Sequence, residues 1–332
     1  KRMAEILKIG DPRSDRRCTV CHAVGSTEKS VSDGVACEGC HGPAEKWLGP
    51  HTQVNSHAAS VAAGLTDTKN LRLRAAMCLE CHLGTKDKVV DHELIAAGHP
   101  DLNFELDTFS WAQPVHYRET KPGAGNSLPR VRVWAVGQAT ALAQGMRTLA
   151  LRASQGWPEF SELECYQCHH DLRLDSWRLQ RGYGNRKPGS LQLNRARTEV
   201  LRVLVAQAAP DQRDALDSAL SKVASQSQIG PAAAAVATLA DSLAARFEKQ
   251  DFAAAQGRSI LQGLVADIAR IADAGVNAAE VATMSLDSLA AAVTGNQAQP
   301  ATTPLYDYLE HPSTYQPAEF AALFRKAAAT VR

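Results

Sequence analysis

Four copies of one five-residue pattern constrain this chain more than anything else in it. Residues 18–22 (CTVCH), 37–41 (CEGCH), 78–82 (CLECH) and 165–169 (CYQCH) each read C-x-x-C-H. This is the pattern by which c-type haem is attached to protein. Two thiols three residues apart add across the two vinyl groups of one porphyrin, and the histidine that follows donates a ring nitrogen to the iron. Four covalently bound haems c are expected. Their attachment residues are Cys18, Cys21, Cys37, Cys40, Cys78, Cys81, Cys165 and Cys168, with His22, His41, His82 and His169 as proximal ligands. That assigns all eight cysteines, so no thiol remains for a disulfide or a nucleophile.

Zinc is the competing reading. Fifteen residues separate Cys21 from Cys37, so the first two motifs also fit C-x2-C-x15-C-x2-C, a zinc-ribbon spacing. Zinc thiolate sites, however, need no histidine directly after the second cysteine. With 11 histidines in 332 residues, four out of four by chance is about one in a million, and the motif rule decides for haem.

At 332 residues the chain is long enough for two domains with ordinary cores. Aromatic residues make up only 5%, a shortage of large core side chains that flat, apolar haems can fill. The net charge of +1 makes no case for nucleic acid or an anionic membrane. With ionised propionates and ferric iron the loaded protein becomes acidic, at about −3. No run of eighteen apolar residues exists, so no membrane span is expected. The chain begins with neither a signal peptide nor an initiator methionine. Haem c is attached outside the cytoplasm, so the expectation is a mature or truncated periplasmic, cell-surface or extracellular protein.

The fold class expected is mainly α: a multihaem cytochrome c domain of short helices and loops around haems, then an antiparallel helical bundle. Residues 3–9 read as a helix stopped by Gly10 and Pro12. Residues 1–130 hold three motifs in a stretch rich in Gly, Pro and His, and glycines such as Gly34, Gly39 and Gly42 suit close approach of backbone to a flat ring. Residues 119–130 (ETKPGAGNSLPR) read as a linker or exposed loop. Residues 131–190 comprise a long helix, with Trp134, Leu142, Met146 and Leu149 on its buried face, and the fourth motif. Residues 191–332 are alanine-rich. About four helices are expected there, starting near Asp211, Pro231, Asp251 and Asn277, followed by a Pro/Thr-rich tail (QAQPATTP) and a last helix over 317–332.

Seven histidines remain as candidate sixth ligands: His51, His57, His92, His99, His116, His170 and His311. If residues 91–97 are helical, His92 and His99 lie seven apart on one face, about 10 Å along it. Gly98 and Pro100 would end that helix and leave His99 at its exit. His170 follows a proximal ligand, so it can reach only a neighbouring haem; adjacent helical side chains diverge by about 100°. His311, before Pro312 in the tail, has a solvated turn as its plainer account. Methionine is a weak rival, with four in the chain and Met77 abutting Cys78.

The stretch VACEGCHGPAEKWLGPH (35–51), after a C-x-x-C-H about twenty residues earlier, resembles the tetrahaem cytochromes c that accept electrons from hydroxylamine oxidoreductase. DHELIAAGHPDLNFELDTFSWAQPVHY and CYQCHHDLRLDSWR are similar to a broader multihaem cytochrome c family. The resemblance covers residues 1–200 and implies closely packed haem pairs, mostly bis-histidine, in a largely helical fold. In those relatives a further motif lies upstream, and the histidine matching His51 ligates its haem. Only seventeen residues precede Cys18 here, with no motif among them, so either that segment is missing or His51 serves a haem in another subunit. An upstream histidine caps the haem that matches His41. The relatives also keep one five-coordinate haem, matching the 18–22 motif.

The function expected is electron transfer by an extracytoplasmic multihaem cytochrome that is not itself an enzyme, with redox partner proteins. Two alternatives stand beside it. One is a haem enzyme acting on a small nitrogen, sulfur or oxygen species at an open iron. The other is a subunit of a multi-chain haem conduit or filament, in which copies share ligands such as His51 or His311 and the helical bundle docks them.

Overall fold

Alanine and leucine at helical spacing, and almost no alternating strand pattern, produce a mainly α fold. The computed structural model describes residues 2–25, 27–114, 127–169, 173–177, 179, 189–295 and 299–331. Eighteen α-helices lie among the described residues, and extended pairing is confined to two isolated bridges, Ser127–Ala253 and Leu163–Leu193. The chain forms two compact units, Lys1–Leu102 and Asn103–Arg332.

The first unit consists of short helices: α1 (Arg2–Ile6), α2 (Arg16–His22), α3 (Glu28–Asp33), α4 (Cys37–His41), α5 (Leu48–His51), α6 (His57–Ala62), α7 (Leu71–His82) and α8 (His92–Ala96). The helix expected over 3–9 ends early. Lys8 takes a left-handed φ of 53°, and Ile9 N–H closes back on the Ala4 carbonyl at 3.0 Å, so the helix stops in a Schellman turn before Gly10 is reached. That turn tucks Leu7 against Leu94 and Ala97, with Met3, Ile9 and Val90 around them. Outside this small cluster few large side chains are buried, and Val35, Leu48, Val54, Leu73 and Val89 are exposed.

The second unit starts with α9 (Leu106–Ala112) and α10 (Pro129–Gln155). The division therefore falls before the expected boundary at 130. Residues just after 102 pack into this unit: Asn103 bonds Glu280, Thr108 Oγ1 lies 3.2 Å from the Met284 carbonyl oxygen, and Gly137 makes room for Leu106. Residues 115–126, most of the expected linker, lie outside the described residues, and Pro129 already sits in the first turn of α10.

The bundle continues through α11 (Ala196–Ala208), α12 (Arg213–Ala224), α13 (Ile229–Lys249), α14 (Ala254–Ala266), α15 (Ile268–Ala272) and α16 (Val276–Thr294). Between 191 and 295 six helices thus stand where about four were expected. The helix α11 carries no proline at its start and is capped by Asn194, which accepts from Ala196 N–H at 2.9 Å, and the third expected helix is split at Asp267. The long helix α10 is part of this bundle. It is buried on most sides, through Val131, Trp134, Val136, Leu142 and Leu149, whereas Met146 is only half-buried. Three contacts make α10 and α13 antiparallel: Gly230 against Ala150, Arg147 with Asp241, and Arg132 with Asp251.

From Gln299 on, the Pro/Thr-rich tail is helical, as α17 (Gln299–Leu309), with Pro304 inside it. Tertiary bonds outweigh the proline there. Thr302 and Tyr306 each donate to Asp287 at 2.6 Å, and Leu305 is fully buried. The final helix α18 (Pro317–Thr330) closes the unit through Phe320 and Phe324, while Tyr315 donates to the Ala272 carbonyl at 2.8 Å.

Candidate cofactor-binding site

A C-x-x-C-H run wound into helix brings its three reactive groups together. Positions i, i+3 and i+4 share a face, so both sulfurs and the imidazole project to one side. The first three motifs adopt this form, and in each the histidine is the last helical residue: His22 of α2, His41 of α4 and His82 of α7. Local sequence sets each helix. Asp15 caps α2 by accepting from Arg17 N–H at 2.8 Å, and Asn70 caps α7 by accepting from Leu73 N–H at 3.0 Å. In α4 the carboxylate of Glu38, inside the motif, accepts from Ala44 N–H at 2.6 Å and ties down the following loop. Gly42 ends that helix at a φ of 74°, which an L side chain rarely adopts. Gly39 serves packing: a β-carbon there would come within 2.9 Å of Val24 and Val35 side chains, so its neighbours are valines rather than an open ring slot.

The fourth motif lies in the second unit and takes a tighter form. Residues 165–167 make a 3-10 turn, and His169 N–H closes on the Cys165 carbonyl at 3.0 Å. Gln167, between the two cysteines, clasps Gln192 by donating to its carbonyl at 2.8 Å and accepting from its N–H at 2.7 Å.

Within the first unit the three motifs converge. The Cys21 and Cys81 thiols lie close enough to interact, and that interaction is the main reason Cys21 titrates above an ordinary thiol and Cys81 below one. Lys88 further favours the Cys81 thiolate. Burial pushes Cys78 up to about 11, with Cys40 near enough to add to the effect. His22 is close enough to His82 for their charges to repel. None of the eight cysteines forms a disulfide.

The remaining histidines have separate surroundings. His51 is exposed at the end of α5, its ring 5.6 Å from that of buried Trp47, which in turn meets His41 at 6.1 Å. Trp47 was not legible as a site residue, although it stands four residues before His51, one helical turn away. His57 opens α6 and holds Asp67 at 3.1 Å through Nε2. His92 opens α8, where Asp91 caps the helix by accepting from Leu94 N–H at 2.9 Å. His99 leaves the same helix with its ring 6.4 Å from that of His22 and Nδ1 2.8 Å from the Pro100 carbonyl. His311 is exposed ahead of a short 3-10 turn. His116 and His170 lie outside the described residues.

This arrangement fits haem c. Paired thiols share a face with an imidazole, and apolar side chains stand exposed near them. Among the described residues no cluster of three or more His, Cys, Asp and Glu is arranged to hold a metal ion directly, which the zinc-ribbon alternative requires. No helix of the described residues is long and apolar enough to cross a membrane.

No curated protein and no solved structure matches the chain. Residues 1–42 do match a family model, that of cytochrome c554 and c-prime. The matched stretch contains the first two C-x-x-C-H motifs, so the N-terminal segment of this chain is similar in sequence to c-type cytochromes, which hold haem c covalently and transfer electrons.

Proposed function

We propose that the chain is an extracytoplasmic multihaem cytochrome that carries electrons between redox partner proteins through four closely spaced haems. Haem c supplies the one-electron ferric–ferrous couple when bound. The protein's residues do the rest. Cys18 with Cys21, Cys37 with Cys40, Cys78 with Cys81, and Cys165 with Cys168 would hold the four groups, and His22, His41, His82 and His169 would ligate their irons. Three groups belong to the first unit and the fourth to the second. The neighbouring thiols of Cys21 and Cys81 support close spacing within the first unit, because they are the anchors of two different groups. Histidine on both faces of an iron leaves no position for substrate and keeps the potential low, so the reading favours a carrier over an enzyme. His51 and His311, both exposed, are the residues available to an iron on another chain.

Coulometric titration of the purified oxidised protein tests this. Uptake of four electrons per chain is expected, with no turnover of hydroxylamine, nitrite or sulfite by the reduced protein. Fewer than four electrons, or steady consumption of one of these species, would contradict it.

A further inference from the structure

We infer that His99 is the sixth ligand of the iron carried by Cys18, Cys21 and His22, so that this centre is closed. The inference rests on the multihaem reading above and deepens it at one site.

The first observation is a distance. An imidazole nitrogen sits about 2.0–2.1 Å from a bound transition metal, and the ring centre lies about 1.1 Å further back. Two imidazoles on opposite sides of one metal therefore have ring centres about 6.2–6.4 Å apart. The rings of His22 and His99 are 6.4 Å apart and inclined at 67°. An edge-to-face contact of bare rings spans the same range, so distance alone does not decide.

The second observation is chemical. His99 Nδ1 lies 2.8 Å from the Pro100 carbonyl oxygen. A carbonyl only accepts, so Nδ1 carries the proton and Nε2 keeps its lone pair. Histidines that bind metals characteristically have their second ring nitrogen held this way, which fixes tautomer and orientation.

The backbone reinforces that orientation. Gly98 exits α8 at a φ of 111°, its N–H bonded to the Ile95 carbonyl at 2.9 Å, and His99 N–H returns to the Leu94 carbonyl at 3.0 Å. Leu94 and Ala97 anchor α8 to Leu7, and Glu93 lies within electrostatic reach of Arg17 at the start of α2. The ring is thus positioned from both helices. Its placement departs from what the family resemblance implies, an open iron at this motif.

The test compares the haem-loaded full chain with His99→Ala and His99→Met by ferric electron paramagnetic resonance and redox titration. The wild-type first centre is expected to be low-spin. In His99→Ala, one of the four haems becomes high-spin, binds cyanide, and returns to low spin on adding imidazole. In His99→Met, the iron keeps a sixth ligand and one of the four potentials rises. Haem content is measured on the same samples. Four attached haems with spectra and potentials unchanged in both variants would overturn the His99 assignment alone. A wild type with no attached haem would overturn the reading on which it rests.

Discussion

Replacing Glu199 by glutamine is expected to destabilise the helical bundle by about 3 kcal/mol, the low end of the range for breaking a buried ion pair. Glu199 is fully buried on α11, and three arginines converge on its carboxylate: Arg195 at 3.3 Å, Arg202 at 3.7 Å, and Arg270 in close contact. The carboxylate is what lets three guanidiniums crowd together. Without its charge they repel across the seam between α11 and α15. The arginines are about one-third exposed, and Arg202 and Arg270 keep Asp217 and Asp267 as partners at 2.9 Å, which limits the loss. Urea unfolding with unchanged slope and a lowered midpoint is the expected result. A shift below about 0.5 kcal/mol, the scale of an ordinary surface change, would mean the cluster contributes nothing.

A pH dependence of comparable size is expected from Glu105 and Asp107. Both are almost fully buried at the start of α9, and Arg130 donates to Asp107 at 2.6 and 3.0 Å. Glu105 caps the helix, accepting from the N–H groups of Asp107 and Thr108 and from the hydroxyls of Thr108 and Ser288. Burial is the main cause that raises both carboxyls, and for Asp107 the neighbouring Glu105 charge is the second, carrying it to about 7. The folded pair therefore holds a proton that the unfolded chain releases near the ordinary carboxylate range. This contribution is fully present below about pH 4 and is lost as pH rises through about 7, at up to about 1.4 kcal/mol per pH unit. Asp107→Asn removes one of the two acids while keeping an oxygen towards Arg130. Across pH 4.5–7 (on the order of the interval between the two pKa ranges), wild type should lose stability relative to Asp107→Asn. Parallel curves would show that the pair is fully ionised.

The attachment pattern was legible because its chemistry demands fixed spacing: thiols at i and i+3 and imidazole at i+4 share a face only in a helical turn, which α2, α4 and α7 form. The buried faces of the bundle were legible for the same reason, since Leu216, Leu220 and Val223, then Ile260, Leu264, Ile268 and Ile271, repeat at helical period and are all buried. Leu239, which continues the same period with Val236 and Leu243, is only half-buried. What local pattern could not reveal was anything set by distant partners. The helix across Pro304 depends on Asp287, and the unit division depends on Asn103 and Leu106 finding α16 and α10. The seven spare histidines looked alike in sequence. Only their neighbours separate them: Asp67 for His57, Trp47 for His51, and His22 with the Pro100 carbonyl for His99.

The covalent bond between cysteine sulfur and porphyrin is the claim beneath all of this, and intact mass measured after acid–acetone extraction tests it most directly. The polypeptide is expected to stay red and to carry the added mass of four haems, with iron at four atoms per chain. Colour passing into the acetone, or zinc in place of iron, would contradict it.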